Sequence, residues 1–317
     1  HSVMVVCVYE DRPECLPGVK LLLLSLMRFE PSLPVELCVP NPPPDFTAWV
    51  HKHSTAKLTS SEMANRGWNV KPHLLLHMLE HSGIVLWLDS DLILTDSLTP
   101  LLSSFSDSAF VATEEWQWGR VQGSAYRTKE WGLDHVRNLR RTVNSCVIRA
   151  SRQHRWFLEA WATLLSRPEY RQAQSKPWYE RPAHLMGDQD ALTALLGSIP
   201  SQKLELALLR SGIDIAQCFQ EDGFTVADRI RASRRGLPPL IHAQGTKPWQ
   251  EGRRRLYLQL SPYSAVAADY KRELEETAAW LRCESPLAES MNRIAAGHPS
   301  LRGILPALWR TTIRRIG

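Results

Sequence analysis

Short apolar runs of strand length alternate with amphipathic stretches of helix length at the start of this chain. Residues 3–8, 17–29, 35–39, 72–79 and 84–88 read in turn as strand, helix, strand, helix and strand. Few architectures accept that order, and it predicts an α/β domain in which helices cover a mostly parallel sheet. Pro72 suits the first turn of its helix, and the prolines after Asn41 enforce a connection behind the second strand. In such sheets ligands gather beyond the carboxyl ends of the strands, so motifs at those ends take priority.

Further along, residues 114–131 read as a long polar, tryptophan-bearing loop suited to acceptor recognition. A strand over 143–149, a helix over 153–165, a Pro/Tyr/Trp-rich connection over 176–182 and a helix over 191–196 follow. An apolar run ending at Ile241 leads into His242, and the pattern is helical from residue 263 onward. We expect a catalytic domain over 1–262 and a C-terminal helical extension over 263–317. A chain of 317 residues with 44% hydrophobic content can bury a large core. Its net charge of +5, without a long basic run, suits anionic ligands and does not call for nucleic acid. The six cysteines show neither zinc spacing nor Cys-x-x-Cys, which fits a reducing cytoplasm. The apolar stretch 19–29 is shorter than the about 20 residues a membrane span needs, and no secretory signal is readable.

Chemistry concentrates where two apolar runs end. Val85-Leu-Trp-Leu-Asp-Ser-Asp places Asp89 and Asp91 two residues apart, so that on extended backbone both carboxylates point the same way. Such a pair can seat a hard divalent cation, which in turn can hold a diphosphate; it can also merely cap a turn. The second run ends in Ile241-His-Ala-Gln-Gly-Thr-Lys-Pro-Trp249. There His242 offers a nitrogen ligand, Gly245 allows close backbone approach, and Lys247 can neutralise phosphate charge. His73 and His77, at i and i+4, could share a helix face and bind zinc, but there is no Glu between them and no third ligand is evident.

With both motifs in this order, the sequence resembles glycosyltransferase family 8 over roughly residues 3–250. This family, which includes lipopolysaccharide galactosyltransferases and glycogenin, has a GT-A fold, a Rossmann-like arrangement for nucleotide-diphospho-sugars. It carries an Asp-x-Asp after a strand and a late His-x-x-Gly-x-x-Lys-Pro. The resemblance implies a UDP-sugar donor, a manganese (or magnesium) ion, and transfer of a hexose with retention. It makes Asp89, Asp91 and His242 the metal ligands, places Lys247 at the diphosphate, and puts Gly245 among the donor-binding residues. Lys71 falls where the family keeps a basic residue before the metal strand; by itself it reads as a solvated lysine. Asn144 and Ser145 fall where the family has Asn-Ala/Ser-Gly near the donor sugar, with Cys146 replacing the glycine. Asp188 and Gln189, in Gly187-Asp-Gln-Asp190, match the Asp-Gln-Asp beside the reacting sugar, and Asp188 could also be a helix N-cap. The chain departs from the family after its first strand, where it reads Tyr9-Glu10-Asp11.

The acceptor expected from these residues is a carbohydrate or a lipid-linked glycan. From Pro306 onward, Leu308, Trp309, Ile313 and Ile316 fall on one helical face, with Arg310 and Arg314 opposite and Arg315 at the edge. That pattern predicts a helix lying on an anionic membrane surface, or one packing its apolar face on the protein itself. Rival readings are a nucleotidyltransferase or nucleotide-sugar hydrolase, and a non-catalytic nucleotide-sugar binding protein.

Overall fold

The computed structural model describes residues 4–116, 121–219, 222–250, 261–274, 290 and 298–316. The alternation at the start of the sequence becomes strand β1 (Met4–Tyr9), helix α1 (Leu16–Phe29), β2 (Val35–Cys38), α3 (Lys71–His81) and β4 (Ile84–Leu88), with a helix and a strand not read from the sequence, α2 (Pro44–His53) and β3 (Lys57–Thr59), between β2 and α3. After β5 (Leu92–Leu94) and α4 (Thr99–Ser103) come β6 (Phe110–Glu114), α5 (Ser124–Glu130) and β7 (Val143–Ser151). The chain continues through α6 (Arg155–Ser166), α7 (Pro168–Gln174), α8 (Asp188–Gly197), β8 (Leu206–Leu209), β9 (Ile215–Gln217), α9 (Val226–Arg235) and β10 (Leu240–His242). Helical segments at Pro262–Ala267, Lys271–Leu274 and Ile304–Ile316 follow. The rest of the expected C-terminal helical run, 275–289 and 291–297, lies outside the described residues.

Seven strands form one sheet in the order β3-β2-β1-β4-β7-β6-β8. Within it β7 alone runs against its neighbours, pairing antiparallel with β4 and β6. Its amino end therefore meets the carboxyl ends of β1, β4 and β6, and this brings Asn144 and Ser145 beside the residues that follow those strands. Alternate side chains feed two cores, the pattern of a sheet covered on both faces. Val6, Val8, Leu86 and Leu88 point into the core built on α1 and α2. Cys7, Tyr9, Val85 and Trp87 point into the one built on α3, α6 and α8. Tyr263, Val266, Ala267, Tyr270 and Leu274 belong to the first core, so the start of the C-terminal extension packs with the sheet domain.

A second sheet, β5-β10-β9, stands beside the first. Strand β10 pairs antiparallel with β5, His242 opposite Leu92, immediately after Asp91. This pairing joins the two motifs, which lie far apart in the chain.

Residues 114–131 do not form one loop, although 117–120 lie outside the described residues. Helix α5 occupies 124–130 and docks on α8 through a buried ion pair, Arg127 Nε to Asp190 Oδ1 at 2.7 Å. Its buried residues Ser124, Arg127 and Thr128 are polar, so the segment lacks the apolar periodicity that marks a helix. Arg127 also donates to the Gly123 and Val121 carbonyls.

Candidate active site

The Asp89-Ser-Asp91 segment forms a turn, not the extended backbone expected from the sequence. The Asp89 N–H donates to the Cys146 carbonyl at 2.8 Å, and Leu92 N–H then closes the turn on the Asp89 carbonyl at 3.2 Å. The carboxylates nevertheless converge, because Ala243 N–H ties the end of β10 to the Asp91 carbonyl at 3.0 Å. One ligand atom each from Asp89, Asp91 and His242 lies within 4.8 Å of the others, the only such metal-type grouping of three or more among the described residues. His73 and His77 gain no third ligand; His77 faces Glu80 at 3.6 Å.

Asp91 and His242 are both buried, and His242 Nε2 lies 3.3 Å from Asp91 Oδ1. Lys247 Nζ bonds the other Asp91 oxygen and the Ala243 carbonyl. Burial opposes ionisation of Asp91, but Lys247 and His242 hold its carboxyl far below the usual range. Burial likewise disfavours a charged His242, and the Asp91 carboxylate reverses this, so the imidazole stays protonated well above its ordinary value. Two protein cations thus gather on one carboxylate. Asp91 Oδ1 and His242 Nδ1 remain buried without a hydrogen-bond partner. Carboxylate and imidazole donors suit a divalent ion, and orphaned polar atoms at the same place are what a metal would satisfy.

Lys71 is not a solvated surface lysine; it is only 4% exposed. Its Nζ lies 2.9 Å from Asp89 Oδ1, 2.8 Å from Ser145 Oγ and 3.6 Å from Asp188 Oδ2. Burial works against its charge, yet Asp188 and Asp89 prevail and raise its pKa. Trp87 Nε1 also donates to Asp89 Oδ1, at 2.7 Å, which fixes the carboxylate further. Gly187 takes the N-cap of α8, so Asp188 is not the cap; the Asp190 carboxylate accepts the Gly187 N–H at 3.0 Å instead. That leaves the Asp188 side chain to accept from Ser145 Oγ at 2.6 Å. Burial pushes the Asp188 carboxyl up, with Lys71 and Ser145 pulling against it.

These side chains line a cleft of about 580 Å³ that also takes in Asn144, Gln189 and Gly245. Gly245 has φ +76°, and a Cβ there would come within 2.6 Å of the Phe219 ring, so both conformation and space call for glycine.

No protein-family model and no curated protein matches the chain. Solved structures do match. The bifunctional glycosyltransferase WbbM covers 88% of the chain with TM-score 0.58 at 13% identity, and the chain spans half (50%) of WbbM's length. An active-site mutant of LgtC covers 84% of the chain with TM-score 0.50 at 14% identity, and 96% of LgtC is matched in return. The chain has the GT-A glycosyltransferase fold.

Within that fold the structure brings Lys71, Asp89, Asp91, Asn144, Ser145, Asp188, Gln189, His242, Gly245 and Lys247 to one cleft. Sequence reasoning missed two acidic residues, Glu10 in the cleft lining and Glu115 behind it. Glu10, buried after β1, holds Arg12 at 2.8 Å and accepts a hydrogen bond from Ser90 Oγ at 2.5 Å in the Asp89–Asp91 turn. Glu115, buried after β6, gathers the side-chain amides of Asn144, Gln189 and Gln244. Their position after a strand was the available signal, but neither forms a recognisable pair in sequence.

Proposed function

We propose that this chain is a metal-dependent glycosyltransferase, similar to family 8, that moves a hexose from a UDP-sugar to a hydroxyl of a carbohydrate or lipid-linked glycan with retention. The observation that carries this reading is the meeting of Asp89, Asp91 and His242 in one cleft, with Lys71 and Asp188 directly behind them. Asp89, Asp91 and His242 would hold manganese (or magnesium). Such an ion supplies Lewis-acid charge to the leaving diphosphate.

The remaining work falls to the protein's own side chains. As the glycosidic bond breaks, negative charge grows on the diphosphate and the sugar becomes oxocarbenium-like. Lys247, bonded to Asp91 and the Ala243 carbonyl, would offer its ammonium to the diphosphate. Lys71 sits between Asp89 and Asp188, and its ammonium pulls against the burial that pushes the Asp188 carboxyl up. Asp188 is then the carboxylate available to the sugar, as nucleophile in a double displacement or as electrostatic partner in same-face attack. Asn144, Ser145 and Gln189 complete the donor-sugar side of the cleft.

Residues 1–262 would form the catalytic unit and 263–317 its helical extension. Among the described residues no helix is long and apolar enough to cross a membrane. On Ile304–Ile316, Leu305, Leu308 and Trp309 are exposed while Ala307 is buried; the side chains of Arg310, Ile313, Arg314, Arg315 and Ile316 lie outside the described residues. That exposed apolar strip supports peripheral attachment of a cytoplasmic enzyme to a membrane carrying its acceptor.

The test is incubation with a panel of nucleotide sugars and manganese, followed by identification of the released nucleotide. Diphosphate released together with a transferred sugar supports the proposal. Nucleoside monophosphate would point to a nucleotidyltransferase or hydrolase, and donor binding without release to a binding protein.

A further inference from the structure

Of the large apolar side chains exposed among the described residues, Trp68 alone lines the cleft. It is 42% exposed and stands at the rim, in the short helical turn Gly67–Val70 ahead of Lys71. That turn is pinned to its surroundings. Gly67 N–H donates to Asp11 Oδ2 at 2.9 Å, the Tyr170 hydroxyl donates to Asn69 Oδ1 at 2.6 Å, and Val70 is buried. The ring is fixed as well: Trp68 Nε1 donates to Gln174 Oε1 at 3.2 Å, and the Arg181 guanidinium lies over the ring, 5.8 Å from its centroid. Arg181 is anchored in turn on the Met186 carbonyl at 2.8 Å and the Lys176 carbonyl at 2.9 Å.

An indole held in place but left partly in water forgoes the burial its ring would gain in a core. Packing does not account for its position, since neither of the two cores includes Trp68. Its neighbours are those of the reacting centre. Nε1 and Cε2 lie 3.9 and 4.0 Å from where a Cβ on Gly187 would stand, and Gly187 directly precedes Asp188. Arg66, Gln174 and Arg181 line the cleft with it. A pyranose carries C–H bonds on its faces and hydroxyls around its edge, so it can lay one face on such a ring and give its edge to polar neighbours. An acyclic hydroxyl or a phosphate makes no use of a flat apolar surface.

We propose that Trp68 is an acceptor-specificity residue, which stacks the terminal pyranose of the acceptor at the rim of the cleft and so presents a ring hydroxyl toward the Asp188 side. This rests on the glycosyl-transfer reading of the cleft, and it narrows the acceptor to one that ends in a ring sugar.

The probes are the methyl pyranosides of glucose, galactose and mannose, and lactose, with acyclic sorbitol as control, added to protein loaded with UDP and magnesium. Saturation-transfer NMR should mark the C–H protons on one face of at least one of these sugars. The same ligand should move the Trp68 indole N–H signal, identified by its loss in Trp68→Phe, and sorbitol should do neither. In transfer assays with UDP-glucose or UDP-galactose and manganese, the acceptor KM should rise by about tenfold or more in Trp68→Ala, and the affinity for UDP should stay within about twofold. Trp68→Phe, which keeps a smaller ring, should show a lesser rise and serves alone if the alanine variant loses stability. An indole signal that no pyranoside moves, or an acceptor KM unchanged in these variants, would overturn the proposal. So would a loss of UDP affinity of about tenfold, which would put the ring against the donor's base. A wild-type protein that releases UDP from no sugar donor would remove the glycosyl-transfer reading itself, while the indole signal would still report whether Trp68 takes a pyranose.

Discussion

Replacing Lys71 with methionine keeps most of the stem volume and deletes the charge between two buried or half-buried carboxylates. The ammonium stands 2.9 Å from Asp89 and 3.6 Å from Asp188. A charge pair near 4 Å with an effective dielectric of about 20 is worth about 4 kcal/mol. Removing one partner of a buried pair costs about 3–5 kcal/mol of stability, because the other charge is left uncompensated. Without Lys71, the largest influence opposing burial at Asp188 is gone and the carboxyl rises further above its ordinary value.

The sign of the pH dependence follows from the direction of the shift. Burial already raises the Asp188 carboxyl above its unfolded value, so the native state binds more protons than the unfolded chain between those two values. The stability tied to that proton is complete below the unfolded value and is lost as pH rises through the folded one. In Lys71→Met the folded value is higher still, so the loss continues to higher pH. Urea unfolding should therefore show a deficit that is small near pH ~4 and reaches about 3 kcal/mol or more at neutral pH. The acidic limb of the kcat profile should move upward in parallel, since Asp188 acts ionised. A deficit below ~1 kcal/mol, the range of an exposed pair, or one of equal size at all pH values, would refute the reasoning.

Metal dependence makes a second prediction: manganese should raise the melting temperature and support turnover better than magnesium, because a mixed nitrogen and carboxylate site suits the softer ion. Chelation, or Asp91→Ala, should abolish both effects. Asp188→Asn and Gln189→Ala should lower kcat by about 100-fold or more while changing donor binding little, measured by steady-state kinetics and calorimetry; normal turnover with lowered thermal stability would make both residues structural. Finally, in vesicle flotation the full chain should float with anionic liposomes and be released by high salt. Trp309→Ser with Leu308→Ser should weaken that binding, and undiminished binding by this variant would show that the exposed strip of Ile304–Ile316 is not the contact.

What the sequence disclosed about this site depended on where the polar residue stood relative to apolar runs. Asp89, Asp91 and His242 each follow such a run, and the fold then needed only the β5–β10 pairing to bring them together. β1, α1, β2, α3 and β4 were legible for the same reason, since their residues feed two covered faces, whereas α2 (Pro44–His53) and β3 (Lys57–Thr59) were not read. Helix α5, Glu10 and Glu115 were not, because each is a case of polar groups buried against other polar groups. Arg127 has meaning only once Asp190 is its partner, and Glu115 only once three amides from β7, α8 and the segment after β10 converge on it. Hydrophobic periodicity carries no trace of such pairings, since each depends on chain segments far apart in sequence. The same distinction corrects the reading of Asp188. Locally it resembles an N-cap, but Gly187 holds that position and Asp190 makes the capping bond, so the Asp188 carboxylate is left to Ser145, Lys71 and the cleft. A carboxylate that a helix does not need for its own cap, and that is nonetheless buried beside a lysine, is retained at a cost to stability, and that cost is what Lys71→Met would expose.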